Sequence, residues 1–101
     1  MDMRKMMKQA QKMQAELNRA QDELKLMENE ATAGGGMVKA VVSGDGMLKS
    51  LEIDLAAVDP DDVEMLQDMV LAAVNEAIRG MNEISNQRMN AVTGGMNIPG
   101  F

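Results

Sequence analysis

The pattern in the first thirty residues constrains this chain most. Apolar side chains stand at Met3, Met6, Ala10, Met13, Leu17, Ala20, Leu24, Met27 and Ala31, at spacings that alternate three and four without a miss. Such a repeat puts one narrow apolar seam on a helix and asks for another helix to cover it. No Pro or Gly interrupts it. The pattern predicts a helix over about 2–29. At ~1.5 Å per residue it runs roughly 42 Å, whereas a compact chain of this size has a radius of gyration of about 13 Å. A helix of that length has to protrude or lie along a partner.

The polar side of this helix is sorted by charge. Lys12 with Glu16, and Arg19 with Glu23, stand at i, i+4, where opposite charges stabilise a helix by a few tenths of a kcal/mol. The first turns have no such partners. No acid lies between Met3 and Ala15, yet Arg4, Lys8 and Lys12 follow one another at i, i+4 with Lys5 beside them. Like charges at that spacing repel, and cations near a helix N-terminus oppose its dipole, so an external anion would stabilise this end. A solvated polar face is the plain alternative.

Net charge bears on that anion. The whole chain of 101 residues carries −6, which argues against indiscriminate nucleic-acid binding, but the charge is uneven. Residues 1–30 hold six basic and six acidic groups, and residues 59–101 hold two basic and seven acidic groups. The first helix is therefore the one place where phosphate contact is electrostatically reasonable. Phe101 is the only aromatic residue, so the chain has no stacking platform for single strands. With no His, Cys or Tyr, acid–base catalysis would fall to carboxylates or Lys, and no convincing constellation of these is present. The expectation is a protein that is not an enzyme and takes no cofactor or metal. The absence of Cys, of a signal peptide and of a long apolar run points to the cytoplasm and to no membrane span.

After the helix comes Gly34-Gly35-Gly36, a break. No Lys-Ser or Lys-Thr follows, so it is not a phosphate loop. Strands are expected over about 31–34, 37–43 and 47–55, with Gly44-Asp45-Gly46 as the hairpin turn. In the last strand Leu51, Ile53 and Leu55 alternate with Ser50, Glu52 and Asp54, predicting one buried and one wet face. Asp59-Pro60 opens a second helix over about 60–92, with Asp59 as N-cap and Asp61, Asp62 and Glu64 complementing the dipole, which accounts for the acid cluster without a metal. Gly80 inside this helix marks a close approach or a kink. Residues 94–101 form a flexible tail in this reading. The sum is one α+β domain over 1–93: long helix, small antiparallel three-stranded sheet, long helix. Two exposed seams around so small a sheet make a poor monomer, so a homodimer is expected.

Composition alone leaves three readings of function. The basic stretch can bind DNA; the heptad and the thirteen methionines can serve a protein-interaction adaptor; the stretch from Met1 to Met13 can lie on an anionic membrane, although it is short and lacks an aromatic anchor. The chain also resembles a known family, the YbaB/EbfC nucleoid-associated proteins of bacteria. The resemblance rests on MKQAQKMQ from Met7 to Gln14, the Gly-rich passage into Gly36-Met37-Val38-Lys39, LEID from Leu51 to Asp54, DVEMLQDMVLAAVNEA from Asp62 to Ala77, and GGMNIPGF from Gly94 to Phe101, in that order. It implies a tweezer-like homodimer that binds double-stranded DNA with its protruding helices. It further implies a cytoplasmic protein on the nucleoid, with roles in DNA organisation and gene expression. An association with recombination functions is implied too, where the adaptor alternative would find a recombination or repair partner. The helix-1 motif falls on Lys8, Gln9, Gln11 and Lys12. Arg4 and Lys5 precede it and join the DNA-binding set on charge alone.

Overall fold

The computed structural model describes residues 2–93. In chain order the elements are α1 (Met3–Lys25), β1 (Glu28–Ala33), β2 (Val38–Ser43), β3 (Leu48–Ile53), a 3-10 turn at Leu55–Ala57, and α2 (Val63–Thr93). The strands form one antiparallel sheet in the order β1-β2-β3. This is the expected α+β architecture. Its dimensions are 71 × 25 × 16 Å and its radius of gyration is 19.8 Å, well above the ~13 Å of a compact chain.

Several element boundaries differ from expectation. The first helix stops at Lys25 instead of near residue 29, and β1 starts at Glu28 instead of residue 31. Asn29, Ala31 and Ala33 alternate toward α2 while Glu28, Glu30 and Thr32 stay exposed, so the strand period takes over residues that also continue the helical one. The second helix starts at Val63, three residues beyond Pro60. Asp59 holds a turn, its carboxylate accepting from Asp61 N–H at 2.9 Å; Asp62 is the residue whose carboxylate accepts from Met65 N–H at 3.2 Å. The acids near the start of α2 thus serve backbone donors, as their place at a helix N-terminus favours.

The core lies between α2 and one face of the sheet. Val38, Ala40 and Val42 of β2 meet Ala73, Ala77 and Met81 of α2, with Leu24 of α1 closing one end. Small residues on α2 let helix and sheet approach closely. Gly80 is part of this: a Cβ there would stand 2.3 Å from the Nδ2 of Asn29, which donates to the Ala77 carbonyl at 2.9 Å. Close approach, the first of the two sequence readings, is what this glycine provides. Between β1 and β2 the chain reverses through Gly34, Gly35 and Gly36 at φ of 63°, 68° and 93°, a run that side chains with a Cβ resist.

The far face of the sheet is polar. Lys39 stands at its centre, with Nζ 3.4 Å from Glu30 and 3.5 Å from Glu52 across the neighbouring strands. Glu30 first, then Glu52, raises the Lys39 pKa above its ordinary value. The apolar face of β3 is not covered in the single chain. Leu48, Leu51 and Ile53 remain 46%, 39% and 39% exposed, because α2 sits over β1 and β2 and leaves the third strand open. Leu55 lies outside the strand, in the 3-10 turn, and is exposed as well. With Leu66, Gln67, Val70 and Leu71 of α2, Ile53 lines a shallow groove of about 460 Å³. Residues 94–101, the expected tail, lie outside the described residues.

Candidate nucleic-acid interface

Both helices run past the sheet and form an arm. On α1 only Ala20 and Leu24 are buried; Met13 and Leu17 are half-buried, and everything from Asp2 to Lys12 is exposed. On α2 the buried residues end at Met81, and Ile84, Met89 and Val92 are half-buried. The two helices lie side by side in opposite directions, tied by Arg88 Nη2 and Glu23 Oε2 at 2.6 Å. The sequence seam is thus a buried interface at its C-terminal end and an open one toward its start.

Five of the six cations of α1 fall on one side of this arm. At ~100° per residue Arg4, Lys8, Lys12 and Arg19 form a single stripe, with Lys5 at its edge, more than a right angle away from the Leu17–Leu24 seam. Among the described residues, Arg4, Lys5, Lys8 and Lys12 have no carboxylate within ion-pair distance, whereas Lys25 and Arg88 each have one and Lys39 and Arg79 each have two. The i, i+4 pairs expected for Lys12 with Glu16 and Arg19 with Glu23 do not form: Glu23 is taken by Arg88 across the arm. Helix formation at this end is supported by Asp2, whose carboxylate accepts from Arg4 N–H at 3.0 Å as the N-cap. Gln9 and Gln11 are exposed on the same turns.

The second helix adds residues that the sequence reading did not single out. Ser85, Asn86, Gln87 and Asn90 lie on the distal part of α2, the last three exposed, and can donate or accept hydrogen bonds. A signal for them was present: after Glu83 the chain contains no acid. Residues 3–15 and 84–93 hold five cations and no acid, although Asp2 at the tip and Glu16, Asp22 and Glu23 lower on α1 are acidic; residues 16–83 as a whole hold five cations and fifteen acids. The net charge of the chain therefore hides a basic arm on an acidic body. Such an arm can engage phosphates electrostatically, while the body cannot lie flat on the same polyanion.

Other chemistry has less support in the geometry. No group of three or more Asp or Glu side chains among the described residues converges as a metal site. Asp45 accepts from the Ser43 hydroxyl, which holds its pKa below the ordinary carboxylate value, and acts as a turn residue. No helix among the described residues is long and apolar enough to cross a membrane.

Comparison with known proteins bears on the family and the fold. The chain is 54% identical over 100 residues to a nucleoid-associated protein of Alkaliphilus metalliredigens, covering 99% of this chain and 88% of that one. It is 55% identical over 96 residues to the nucleoid-associated protein Teth514_0034 of a Thermoanaerobacter species, covering 95% and 86%. A crystal structure of the uncharacterized protein HP0035 from Helicobacter pylori superposes with a TM-score of 0.74 at 25% identity, covering 96% of this chain and 99% of that one. The model of the YbaB/EbfC DNA-binding family matches residues 1–96. With two long helices, a three-stranded sheet and a basic arm in place, the chain belongs to the YbaB/EbfC DNA-binding family.

Proposed function

We propose that this protein binds double-stranded DNA as a homodimer through its two arms and acts on the nucleoid in the cytoplasm, in DNA organisation and gene regulation. The observation that carries the reading is the segregation of charge: Arg4, Lys5, Lys8 and Lys12 are exposed and, among the described residues, unpaired, on a stretch that holds no acid from residue 3 to residue 15. In this reading the four cations contact phosphates, and Gln9 and Gln11 donate hydrogen bonds to the backbone or to base edges. Phosphate contacts position a protein without reading sequence, so binding is weakly selective. The names of the relatives, nucleoid-associated proteins, support the location.

Salt tests it. If two chains together place about six cations on phosphates, log K falls against log salt with a slope near −5, since each contact contributes roughly −0.9 on duplex DNA. A gel-shift titration with duplex DNA from low to moderate salt measures the slope. A slope near zero sinks the reading.

The homodimer is supported by the uncovered face of β3 and α2. Leu71 is 59% exposed and lies beside Ile53 in the groove, a large apolar patch for a soluble chain. Leu71→Asp is expected to halve the particle mass in sedimentation at micromolar concentration while leaving helicity unchanged, because this side chain packs little within its own chain. A parent protein that sediments as one chain would remove the dimer from the reading.

A further inference from the structure

The basic stripe of α1 has two unlike flanks. At ~100° per residue, Gln9, Glu16 and Glu23 lie on one side of it. On the other side Met7, Gln11, Gln14 and Asn18 stand at spacings of four, three and four, a row about a quarter turn from the stripe. All four are exposed, Met7 at 60%. None carries a charge, and the row runs for roughly 16 Å at ~1.5 Å per residue. It ends above Asp22, which pairs with Lys25 at 3.9 Å.

We infer that this row reads base edges in the major groove and favours A·T pairs, an inference that rests on the reading that α1 binds duplex DNA. The major groove, ~12 Å wide, admits an α-helix. When the stripe lies along the phosphates of one groove wall, one flank of the helix meets the groove floor and the other faces solvent. Glu16 and Glu23 take the solvent side, because phosphates repel carboxylates, and the uncharged row takes the floor. Its chemistry suits adenine and thymine. Gln14 Nε2 donates to Asn18 Oδ1 at 3.1 Å, which holds the two amides together and leaves the Gln14 oxygen to accept and the Asn18 nitrogen to donate. Adenine presents the complementary pair in this groove, an N6 donor and an N7 acceptor, whereas guanine presents two acceptors. Gln11 carries the same donor and acceptor on its own amide, and Met7 offers a thioether methyl to the thymine methyl group. Gln9, on the acidic flank, is left to the phosphate backbone.

Two base analogues isolate these contacts. In 7-deazaadenine the N7 acceptor is lost and the minor groove is unchanged; in uracil only the thymine methyl is lost. In a competition gel shift at fixed low salt, the parent protein is expected to bind a 7-deazaadenine duplex about tenfold more weakly than the unmodified A·T-rich duplex, the scale of one bidentate base contact. A uracil duplex should lose about threefold, the scale of one buried methyl group. The triple variant Gln11→Ala, Gln14→Ala, Asn18→Ala is expected to bind the unmodified and 7-deazaadenine duplexes equally and to keep the parent's salt slope, since its phosphate contacts are intact. Met7→Ala should lose the uracil difference alone. These side chains are exposed and Ala favours helix, so the variants keep the fold. Equal binding of the parent to all three duplexes overturns the inference and leaves duplex binding standing, whereas no binding to any duplex overturns both. Discrimination that persists in the triple variant also overturns it, by placing the readout elsewhere.

Discussion

Replacing Lys8 and Lys12 together by Glu is expected to lower duplex affinity at low salt by about a thousandfold, to below detection in an ordinary gel shift. The pair removes two of the four unpaired cations in the first turns of α1 and puts repulsion in their place, and in a dimer the change is applied twice; binding that depends on phosphate neutralisation responds on this scale. The fold is expected to survive. Both side chains are exposed and free of ion pairs among the described residues, and the new carboxylate at position 8 faces Arg4 while that at position 12 faces Glu16. Those two i, i+4 effects have opposite sign and are worth a few tenths of a kcal/mol each. Circular dichroism and sedimentation unchanged, with binding lost, is the expected combination. Binding equal to the parent would show that α1 is not the DNA-contacting element. Lys39→Met serves as the control: this lysine is held between Glu30 and Glu52 on the sheet and offers no spare charge, so its loss should alter duplex affinity by less than about twofold.

Gly44→Ala is expected to destabilise the protein by about 3 kcal/mol or more, seen as a lower urea midpoint, because backbone has to move. A Cβ at this position would stand 1.7 Å from the Leu24 carbonyl oxygen, and the Gly44 N–H donates to the Met27 carbonyl at 3.0 Å. The β2–β3 turn and the end of α1 are locked together there, so relief of the clash pulls the arm off the sheet. Gly35→Ala is the comparison. It meets nothing within 4 Å but sits at φ 68°, and its cost should be the conformational ~1–2 kcal/mol alone. Equal losses for the two variants would mean that the α1–turn contact is not rigid.

Much of this was legible in the residues. The seam at Leu17, Ala20 and Leu24, the glycine-bounded strands and the acid-rich start of α2 each follow from a local rule, and the order of elements followed with them. The end of α1 did not, because Ala31 fits both a heptad and a strand facing α2, and only the packing of Asn29, Ala31 and Ala33 decides between them. The burial expected for Leu51 and Ile53 was read from alternation, which reveals a face but not what covers it. The basic residues were the easiest part: an acid-free stretch needs no fold to be noticed. Their isolation was understated, since the pairing expected of Arg19 with Glu23 lost to Arg88, a contact across 65 residues that no local pattern contains. The amides at Asn86, Gln87 and Asn90 became meaningful only once α2 was seen to share the arm with α1.

The separation of charge along the 71 Å axis also bears on how fast binding occurs. A molecule basic at one end and acidic through most of its remaining length is a large permanent dipole, and it turns in the field of a polyanion before it touches it. Encounters that begin with the acidic end forward are deflected or rotated, so productive collisions are a larger share of the total than random orientation would give. This bias acts over about one Debye length, ~30 Å at 0.01 M salt and ~8 Å at 0.15 M. Added salt therefore slows association through lost alignment as well as through lost attraction, and a stopped-flow on-rate should fall more steeply with ionic strength than it does for a uniformly charged binder with the same phosphate contacts.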